Sequence, residues 1–212
     1  MKGRREVTSR KIVFWEVDAQ ADFMLPGGKL YVPGAEKIIP NIGRLAGAAR
    51  EGRVFLVASR DAHAANDPEF KEFPPHCIRG TPGARIIAEG MAENVVRVPN
   101  DATFRLSEDY SRYEQAVIEK QTLDVFDNPH AGILVERLGG AEYVVFGVTT
   151  EHCVACAARG LMGRKRKVAI VEDAIAAMDA EAGRRTLEEL KARGARLIST
   201  EEALASLDGA AS

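Results

Sequence analysis

The sequence predicts an α/β fold, with a mostly parallel β-sheet covered by helices on both faces in three layers. Short runs of β-branched and aromatic residues, typical of buried strands, recur along the chain. Segments with helical spacing of apolar residues lie between them. Such alternation favours parallel strands, because each crossover helix packs back onto the sheet. No repeat or linker divides the 212 residues, so we expect one domain over residues 11–212 after a flexible extension at residues 1–10.

The strands are identified by their apolar runs. The first run, Lys11-Ile12-Val13-Phe14-Trp15-Glu16-Val17, combines β-branched and aromatic side chains. Similar runs follow at residues 53–59, 94–98, 115–119, 142–147 and 167–171, and residues 195–198 offer a short last strand. These segments have the length expected of buried strands.

The helices are predicted between these strands. In residues 35–50, Ile38, Ile42 and Leu45 share one face, and residues 180–193 form a second clearly amphipathic segment. Further helices are predicted at residues 107–113, 130–138, 153–162 and 200–207. The long segment at residues 64–84 is rich in Pro and Gly and has neither pattern. Long irregular segments are uncommon in compact domains unless they are functional.

Composition excludes several classes of partner. The chain is 46% hydrophobic and 28% charged, with a formal net charge of −2, so nothing points to nucleic acid or an anionic membrane surface. No apolar run approaches the roughly 20 residues that span a bilayer. Three cysteines do not make a disulfide framework. We therefore expect a cytoplasmic protein with reduced thiols.

Three chemically reactive residues follow predicted strands. Asp18 follows the first strand, Lys120 the fourth and Cys153 the fifth. The carboxyl ends of parallel strands meet at one edge of the sheet, which is where α/β proteins bind ligands. Cys153 also begins a helical segment, where unpaired N–H groups and the helix dipole favour a thiolate. A buried, inert cysteine at a strand–helix junction is the alternative.

These three residues suit one chemistry. The thiol of Cys153 would attack an electrophilic carbon, and the charge of Lys120 would lower the pKa of that thiol. Asp18 would take the thiol proton and later protonate the leaving group. Backbone N–H groups at the turn would stabilise an oxyanion. The set indicates an amidase, a ureidohydrolase or a related acyl hydrolase.

The same residues lie in motifs that resemble a known family. Asp18-Ala19-Gln20-Ala21-Asp22-Phe23 is similar to the Asp-x-Gln-x-Asp-Phe motif of isochorismatase-like cysteine hydrolases. Gly147-Val148-Thr149-Thr150-Glu151-His152-Cys153-Val154 resembles their nucleophile segment, and Lys120 matches their lysine by position. Arg60-Asp61-Ala62-His63 and the segment at residues 73–84 resemble the metal-site segments of the nicotinamidase branch. The resemblance covers about residues 11–200.

The resemblance implies a six-stranded parallel sheet and a catalytic triad of Asp18, Lys120 and Cys153. It also implies a cis peptide before Thr149 and an oxyanion hole formed by the backbone of Thr149 and Cys153. The substrate-binding residues would be Gln20, Phe23 and Phe73. Family members are often dimers or tetramers, so a homo-oligomer is expected.

The resemblance further implies a divalent metal held by Asp61, His63 and His76. Zinc is the expected ion, with iron and manganese as alternatives. Such an oxygen and nitrogen donor set, with positions left open, suits zinc or iron. In nicotinamidases this metal holds the pyridine nitrogen of the substrate, and two aromatic side chains flank the ring.

Four departures from the family pattern bear on the substrate and the metal. Nicotinamidases usually carry another histidine ligand about where Glu69 stands. Three roles are open for Glu69: a carboxylate ligand of the metal, a residue that reaches the metal through water, or a plain surface acid. Phe73 stands where Trp is common, and residues 121–128 lack the small, Gly-rich run of nicotinamidases. Glu16 stands in a strand position that is usually apolar, so we expect it to have a partner.

The favoured function is hydrolysis of nicotinamide to nicotinate and ammonia through a thioester. Hydrolysis of another small amide or ureido compound is the second interpretation, and an isochorismatase-type reaction is the third. A distant alternative is a dithiol redox protein, because Cys153-Val154-Ala155-Cys156 is a Cys-x-x-Cys motif. That alternative leaves Asp18, Lys120 and the metal-site motifs without a role.

Overall fold

A computed structural model describes residues 12–110 and 112–208. The predicted extension at residues 1–10 lies outside the described residues. The strands are β1 (Ile12–Val17), β2 (Phe55–Asp61), β3 (Val95–Val98), β4 (Gln115–Lys120), β5 (Glu142–Val148), β6 (Lys167–Ala176) and β7 (Arg196–Ile198). The α-helices are α1 (Ala21–Met24), α2 (Ile39–Arg50), α3 (Ala131–Leu138), α4 (Ala155–Gly163), α5 (Ala180–Ala192) and α6 (Thr200–Asp208).

The described strands form one sheet in the order β3-β4-β2-β1-β5-β6-β7, and every pair is parallel. The expected α/β class is confirmed, but the expected count of six strands is wrong, since the described residues form seven. The additional strand is the short run near residue 197, which pairs with β6 and ends the sheet. This strand coincides with the short last strand offered at residues 195–198, so the count of six implied by the resemblance was wrong and the strand pattern was not.

Two apolar cores cover the two faces of the sheet. Val13, Trp15 and Val17 of β1 point to one face, where helices α3, α4 and α5 supply Leu134, Leu161 and Leu190. Phe14 points to the other face, against Ile42 and Leu45 of α2 and Leu207 of α6. Successive strand residues point to opposite faces, so a strand buried on both faces reads as a nearly continuous apolar run.

Two predicted helices differ from the structure. Residues 35–50 begin as a 3₁₀-helix, Ala35–Ile38, before α2. The described part of residues 107–113 forms no helix. There the side chain of Arg137 donates hydrogen bonds to the carbonyls of Leu106 (3.0 Å) and Ser107 (2.5 Å). A side chain that satisfies backbone carbonyls removes the need for helical hydrogen bonds.

Among the described residues, no helix has both the length and the apolar character needed to cross a membrane.

Candidate active site and metal centre

The candidate site lies at the carboxyl ends of four adjacent strands, β4, β2, β1 and β5. Asp18 follows β1, Asp61 ends β2, Lys120 ends β4, and Cys153 lies just beyond β5. Asp61 and Lys120 are directly paired in the sheet register. The chain also crosses from one side of β1 to the other between β4 and β5, which makes this the topological switch point where open α/β sheets bind ligands.

Lys120 is the central group of the site. Its ammonium lies 2.9 Å from Asp18 Oδ2 and 3.5 Å from Cys153 Sγ, and it forms an ion pair with Asp61 Oδ1. The side chain is 1% exposed. A second contact orients Asp18, whose Oδ1 accepts a hydrogen bond of 2.8 Å from the Ser59 hydroxyl. One buried cation therefore links both carboxylates to the thiol.

Burial and Lys120 together set the charges of this group. Burial would lower the pKa of Lys120, but Asp18, Asp61 and Cys153 outweigh it and raise that pKa well above its usual value. Burial would raise the pKa of Asp61, yet the charge of Lys120 and the nearby rings of His63 and His76 lower it overall. The pKa of Asp18 is raised, chiefly because the carboxyl is buried. These shifts favour the ionised form of Asp61 and make Asp18 the better proton acceptor of the two carboxylates.

The electrostatics of Cys153 differ from the sequence expectation. Burial raises the pKa of the thiol well above its usual value, and the opposing effect of Lys120 is smaller. The helix dipole is also less favourable than expected, because Cys153 lies in a π-helical turn, Thr150–Val154, and α4 begins only at Ala155. The thiol therefore rests protonated and needs a base to activate it.

The three predicted metal ligands converge. Possible ligand atoms of Asp61, His63 and His76 all lie within 4.8 Å of one another, and all three residues are buried. Asp61 Oδ2 lies 3.7 Å from His63 Nε2 and 3.5 Å from His76 Nε2. Both ring nitrogens of His63 are buried without a geometrically aligned hydrogen bond to a protein group. A buried carboxylate facing two imidazole nitrogens fits a zinc-type ion with positions left for other ligands.

Glu69 lies beside this set without completing it. It groups with His63 and Asp67 rather than with Asp61 and His76. It also lines the cavity described next, and burial raises the pKa of its carboxyl.

A cleft of about 430 Å³, partly open to solvent, reaches both the thiol and the metal set. Its walls are mostly apolar with a few polar groups; they are formed by Asp18, Phe23, Leu30, Asp61, Glu69, Phe73, His76, Leu123, Val148, Thr149, His152, Cys153 and Met178. Phe23 and Phe73 contact the His76 ring, with centroid separations of 5.3 and 6.4 Å. An apolar cleft with a few convergent polar groups is the usual form of a small-molecule site.

Gln20 does not reach this cleft, in contrast to its predicted substrate contact. The residue is fully buried. Its amide nitrogen donates to the carbonyls of Asp61 (2.8 Å) and Ala84 (3.0 Å), and its oxygen accepts from the Asp61 N–H (2.6 Å). Asp22 similarly accepts from the Cys77 N–H at 2.7 Å. These polar residues of the first motif brace the segments that carry the predicted metal ligands.

The nucleophile turn has the backbone form that the resemblance implies. The Val148–Thr149 peptide bond is cis. Thr149 and Cys153 both line the cleft, at the point where β5 gives way to the π-helical turn.

Several lining residues were not identified from the sequence. Leu30, Leu123 and Met178 come from three separate loops, and isolated apolar loop residues give no pattern. Phe70 packs against both metal-site histidines, with centroid separations of 5.3 Å to His63 and 5.8 Å to His76. Its position inside the long loop was the available signal, because such loops are often functional.

The Cys-x-x-Cys motif lacks the electrostatics of a redox pair. Burial raises the pKa of both Cys153 and Cys156. Reactive dithiol pairs carry a thiol with a lowered pKa. The geometry therefore favours a single nucleophile with a neighbouring base.

Comparison with known proteins is consistent with this geometry. The family model of the isochorismatase domain matches residues 14–100 and 92–202. A nicotinamidase/pyrazinamidase of Mycobacterium tuberculosis is 28% identical over 189 residues, covering 86% of this chain and 95% of the relative. A nicotinamidase of Acinetobacter baylyi is 27% identical over 211 residues, covering 89% and 92%. The structure of a pyrazinamidase of Pyrococcus horikoshii in complex with zinc superposes with a TM-score of 0.72 at 28% identity, covering 89% of this chain and 99% of that one.

Proposed function

This chain belongs to the isochorismatase family, and we propose that it is a zinc-containing amidohydrolase that converts nicotinamide to nicotinate and ammonia. Its hydrolase class, acting on amide C–N bonds, follows from the family and its nicotinamidase relatives. The observation that carries the proposed substrate and mechanism is the shared cleft, which brings Cys153 and Asp18 to the same space as Asp61 and His76.

In the proposed first step, Asp18 activates the thiol of Cys153. The Asp18 carboxylate takes the thiol proton, and the sulfur attacks the amide carbonyl carbon. Lys120, 3.5 Å from the sulfur, stabilises the thiolate as it forms. The backbone N–H groups of Thr149 and Cys153 would bind the oxyanion of the tetrahedral intermediate.

In the second step, the intermediate loses ammonia and forms a thioester. Asp18 returns its proton to the departing nitrogen, which leaves as neutral ammonia. Asp18 is then again a carboxylate and can deprotonate a water molecule that attacks the thioester. Collapse of the second tetrahedral intermediate breaks the C–S bond and releases nicotinate, and Asp18 returns the proton to the Cys153 sulfur. Burial raises the pKa of Asp18, which makes its carboxylate a stronger base towards the thiol and lets it hold the proton until the nitrogen departs.

Asp61, His63 and His76 would hold the metal, which when bound would anchor the pyridine nitrogen of the substrate and polarise the ring. Phe23 and Phe73 are suited to contact the two faces of an aromatic ring beside His76. We retain a homo-oligomer as part of the proposal, to be measured by light scattering of the purified protein.

The test is ammonia release from nicotinamide by purified protein, with bound metal quantified on the same sample. We expect turnover with about one metal per chain. Cys153→Ala should abolish turnover, whereas Cys156→Ser should retain most of it, because Cys156 does not line the cleft. Full turnover by Cys153→Ala would overturn the mechanism. Metal without turnover on nicotinamide would overturn the substrate and favour another small amide or a ureido compound.

A further inference from the structure

The ring of His63 lies between two carboxylates. Its Nε2 faces Asp61 Oδ2 at 3.7 Å, and its Nδ1 lies 3.1 Å from Asp67 Oδ2. The His63 side chain is completely buried, so water does not compete freely for either nitrogen. A neutral imidazole carries one proton and one lone pair, and the partner of each nitrogen decides where the proton resides.

Asp67 is held in place by its own backbone. Its Oδ1 accepts a hydrogen bond of 3.1 Å from the Glu69 N–H, which caps the 3₁₀-helix Pro68–Lys71. Its own N–H donates to the Ala64 carbonyl at 3.2 Å. Oδ2 is therefore left to face His63. The separation is within hydrogen-bonding range, although the N–H direction of the ring is not aligned with the carboxylate.

His76 is oriented in a parallel way. Its Nδ1 lies 2.8 Å from the carbonyl oxygen of Pro74. A carbonyl only accepts hydrogen bonds, so Nδ1 carries the proton and Nε2 carries the lone pair. That Nε2 faces Asp61 Oδ2 at 3.5 Å. Both histidines thus present Nε2 to the same carboxylate and direct Nδ1 to an acceptor elsewhere.

We propose that Asp67 is a positioning residue of the metal centre, which holds the proton of His63 on Nδ1 and keeps Nε2 available as a ligand. The inference rests on the proposed function only in taking Asp61, His63 and His76 as the metal ligands. Metal-binding histidines generally donate their other N–H to a carboxylate or carbonyl, and loss of such a partner weakens metal affinity about 10–100-fold. Asp67 Oδ2, 3.1 Å from His63 Nδ1, is placed for this role, as the Pro74 carbonyl is at 2.8 Å from His76 Nδ1.

The test is the zinc dissociation constant of Asp67→Asn, measured by competition with a chromophoric chelator. The amide oxygen can still accept from the Glu69 N–H, so the cap is retained. The amide NH₂ would then face His63 Nδ1, and a donor there favours the tautomer with its proton on Nε2. We expect zinc affinity to fall about 10–100-fold.

A matched control is Asp124→Asn. Asp124 caps another 3₁₀-helix, Val125–Asp127, by accepting from the Phe126 N–H at 2.9 Å. This change should leave zinc affinity within about twofold of wild type. An Asp67→Asn variant that also binds zinc like wild type would overturn the proposal, as would a wild-type protein without zinc affinity.

A second substitution separates orientation from simple structural damage. Asp67→Ser also retains a capping oxygen but places no NH₂ group against His63. The proposal expects weaker zinc binding in Asp67→Asn than in Asp67→Ser, because only the amide favours the wrong tautomer. If the serine variant binds zinc as weakly as the asparagine variant or more weakly, loss of packing explains the effect and the proposal fails. The serine variant compared with wild type also tests the role should the asparagine variant not fold.

The outcome is independent of the substrate. Zinc binding that depends on Asp67, in a protein without activity on nicotinamide, would uphold this inference and overturn the proposed substrate. Turnover of nicotinamide with Asp67-independent zinc binding would do the reverse.

Discussion

Glu16 provides a sharp test of the structure, because it is a fully buried carboxyl in the central strand. Neither of its oxygens has a hydrogen-bond partner among the described residues, so the partner expected from the sequence is not present there. Burial raises the pKa of Glu16 well above its usual value, the charge of Asp18 adds to this, and Arg50 opposes it. The folded protein therefore holds a neutral acid at this position over a range of pH above the usual pKa.

The perturbation is Glu16→Gln, which keeps the shape and removes the titration. Unfolded glutamate loses its proton near a pKa of about 4.3, whereas folded Glu16 retains it to higher pH. Between those two values folded Glu16 binds more protons than unfolded Glu16, so its contribution to the free energy of unfolding falls by about 1.4 kcal/mol per pH unit. The stabilisation from the raised pKa is complete below the unfolded pKa and is lost as the pH rises through the folded pKa.

The assay is urea unfolding of wild type and Glu16→Gln, in the presence of a chelator, at intervals from about pH 4 to about pH 8. We expect the difference in unfolding free energy to shift in favour of the variant by about 1.4 kcal/mol per pH unit, until it levels off at the folded pKa. Any constant cost of burying the amide cancels in this slope. Glu72→Gln, at an exposed position, controls for the general loss of one charge.

Parallel pH dependences for wild type and Glu16→Gln would refute the reasoning. They would mean that the folded protein ionises Glu16 as readily as the unfolded chain does, and that the carboxylate has a partner or access to water.

Three further predictions concern the same region and the metal centre. Gly90→Ala should lower the free energy of unfolding by about 1–3 kcal/mol, because a Cβ there would lie 2.5 Å from Glu16 Oε1. In a Glu16→Ala background the same substitution should cost less. If urea unfolding shows the same cost of Gly90→Ala in both backgrounds, the contact is contradicted. Gln20→Leu should destabilise the protein by more than about 2 kcal/mol and weaken zinc binding, since it removes the side-chain hydrogen bonds to the Asp61 backbone. An unfolding free energy and a zinc affinity equal to those of wild type would contradict the role of Gln20 in holding Asp61 in place. Zinc at about a thousandfold above its dissociation constant should stabilise wild type by about 4 kcal/mol and should stabilise His76→Ala far less. If zinc raises the thermal unfolding temperature of both proteins equally, His76 is not a ligand.

The strand ends explain why much of the site was predictable. Asp18, Lys120 and Cys153 each follow a recognisable apolar run, and parallel strands bring their carboxyl ends to one edge. Their convergence therefore follows from topology. The Asp-x-His motif and the distant histidine are also local patterns, and they meet because β2 supplies one and the following loop the other.

The direction in which side chains point was less predictable. Gln20 lies in a motif that suggests substrate contact, yet its amide turns inward to the backbone of Asp61 and Ala84. Cys153 begins a segment with helical sequence character, which predicts a lowered pKa for its thiol. Burial nevertheless raises that pKa, because its effect is larger than that of Lys120. Both outcomes depend on atoms about 30 to 65 residues away in the chain, which local patterns do not report.

The sequence alone was sufficient for the α/β class, the family resemblance and the choice of candidate reactive residues, because strand and helix patterns and short motifs are properties of neighbouring residues. The tertiary structure was needed for the inward direction of the Gln20 amide, the raised pKa of Glu16 and the carboxylate that faces His63. Burial, proton position and hydrogen-bond direction depend on how segments distant in the chain pack together, since each is set by the surroundings of an atom and not by its neighbours in sequence.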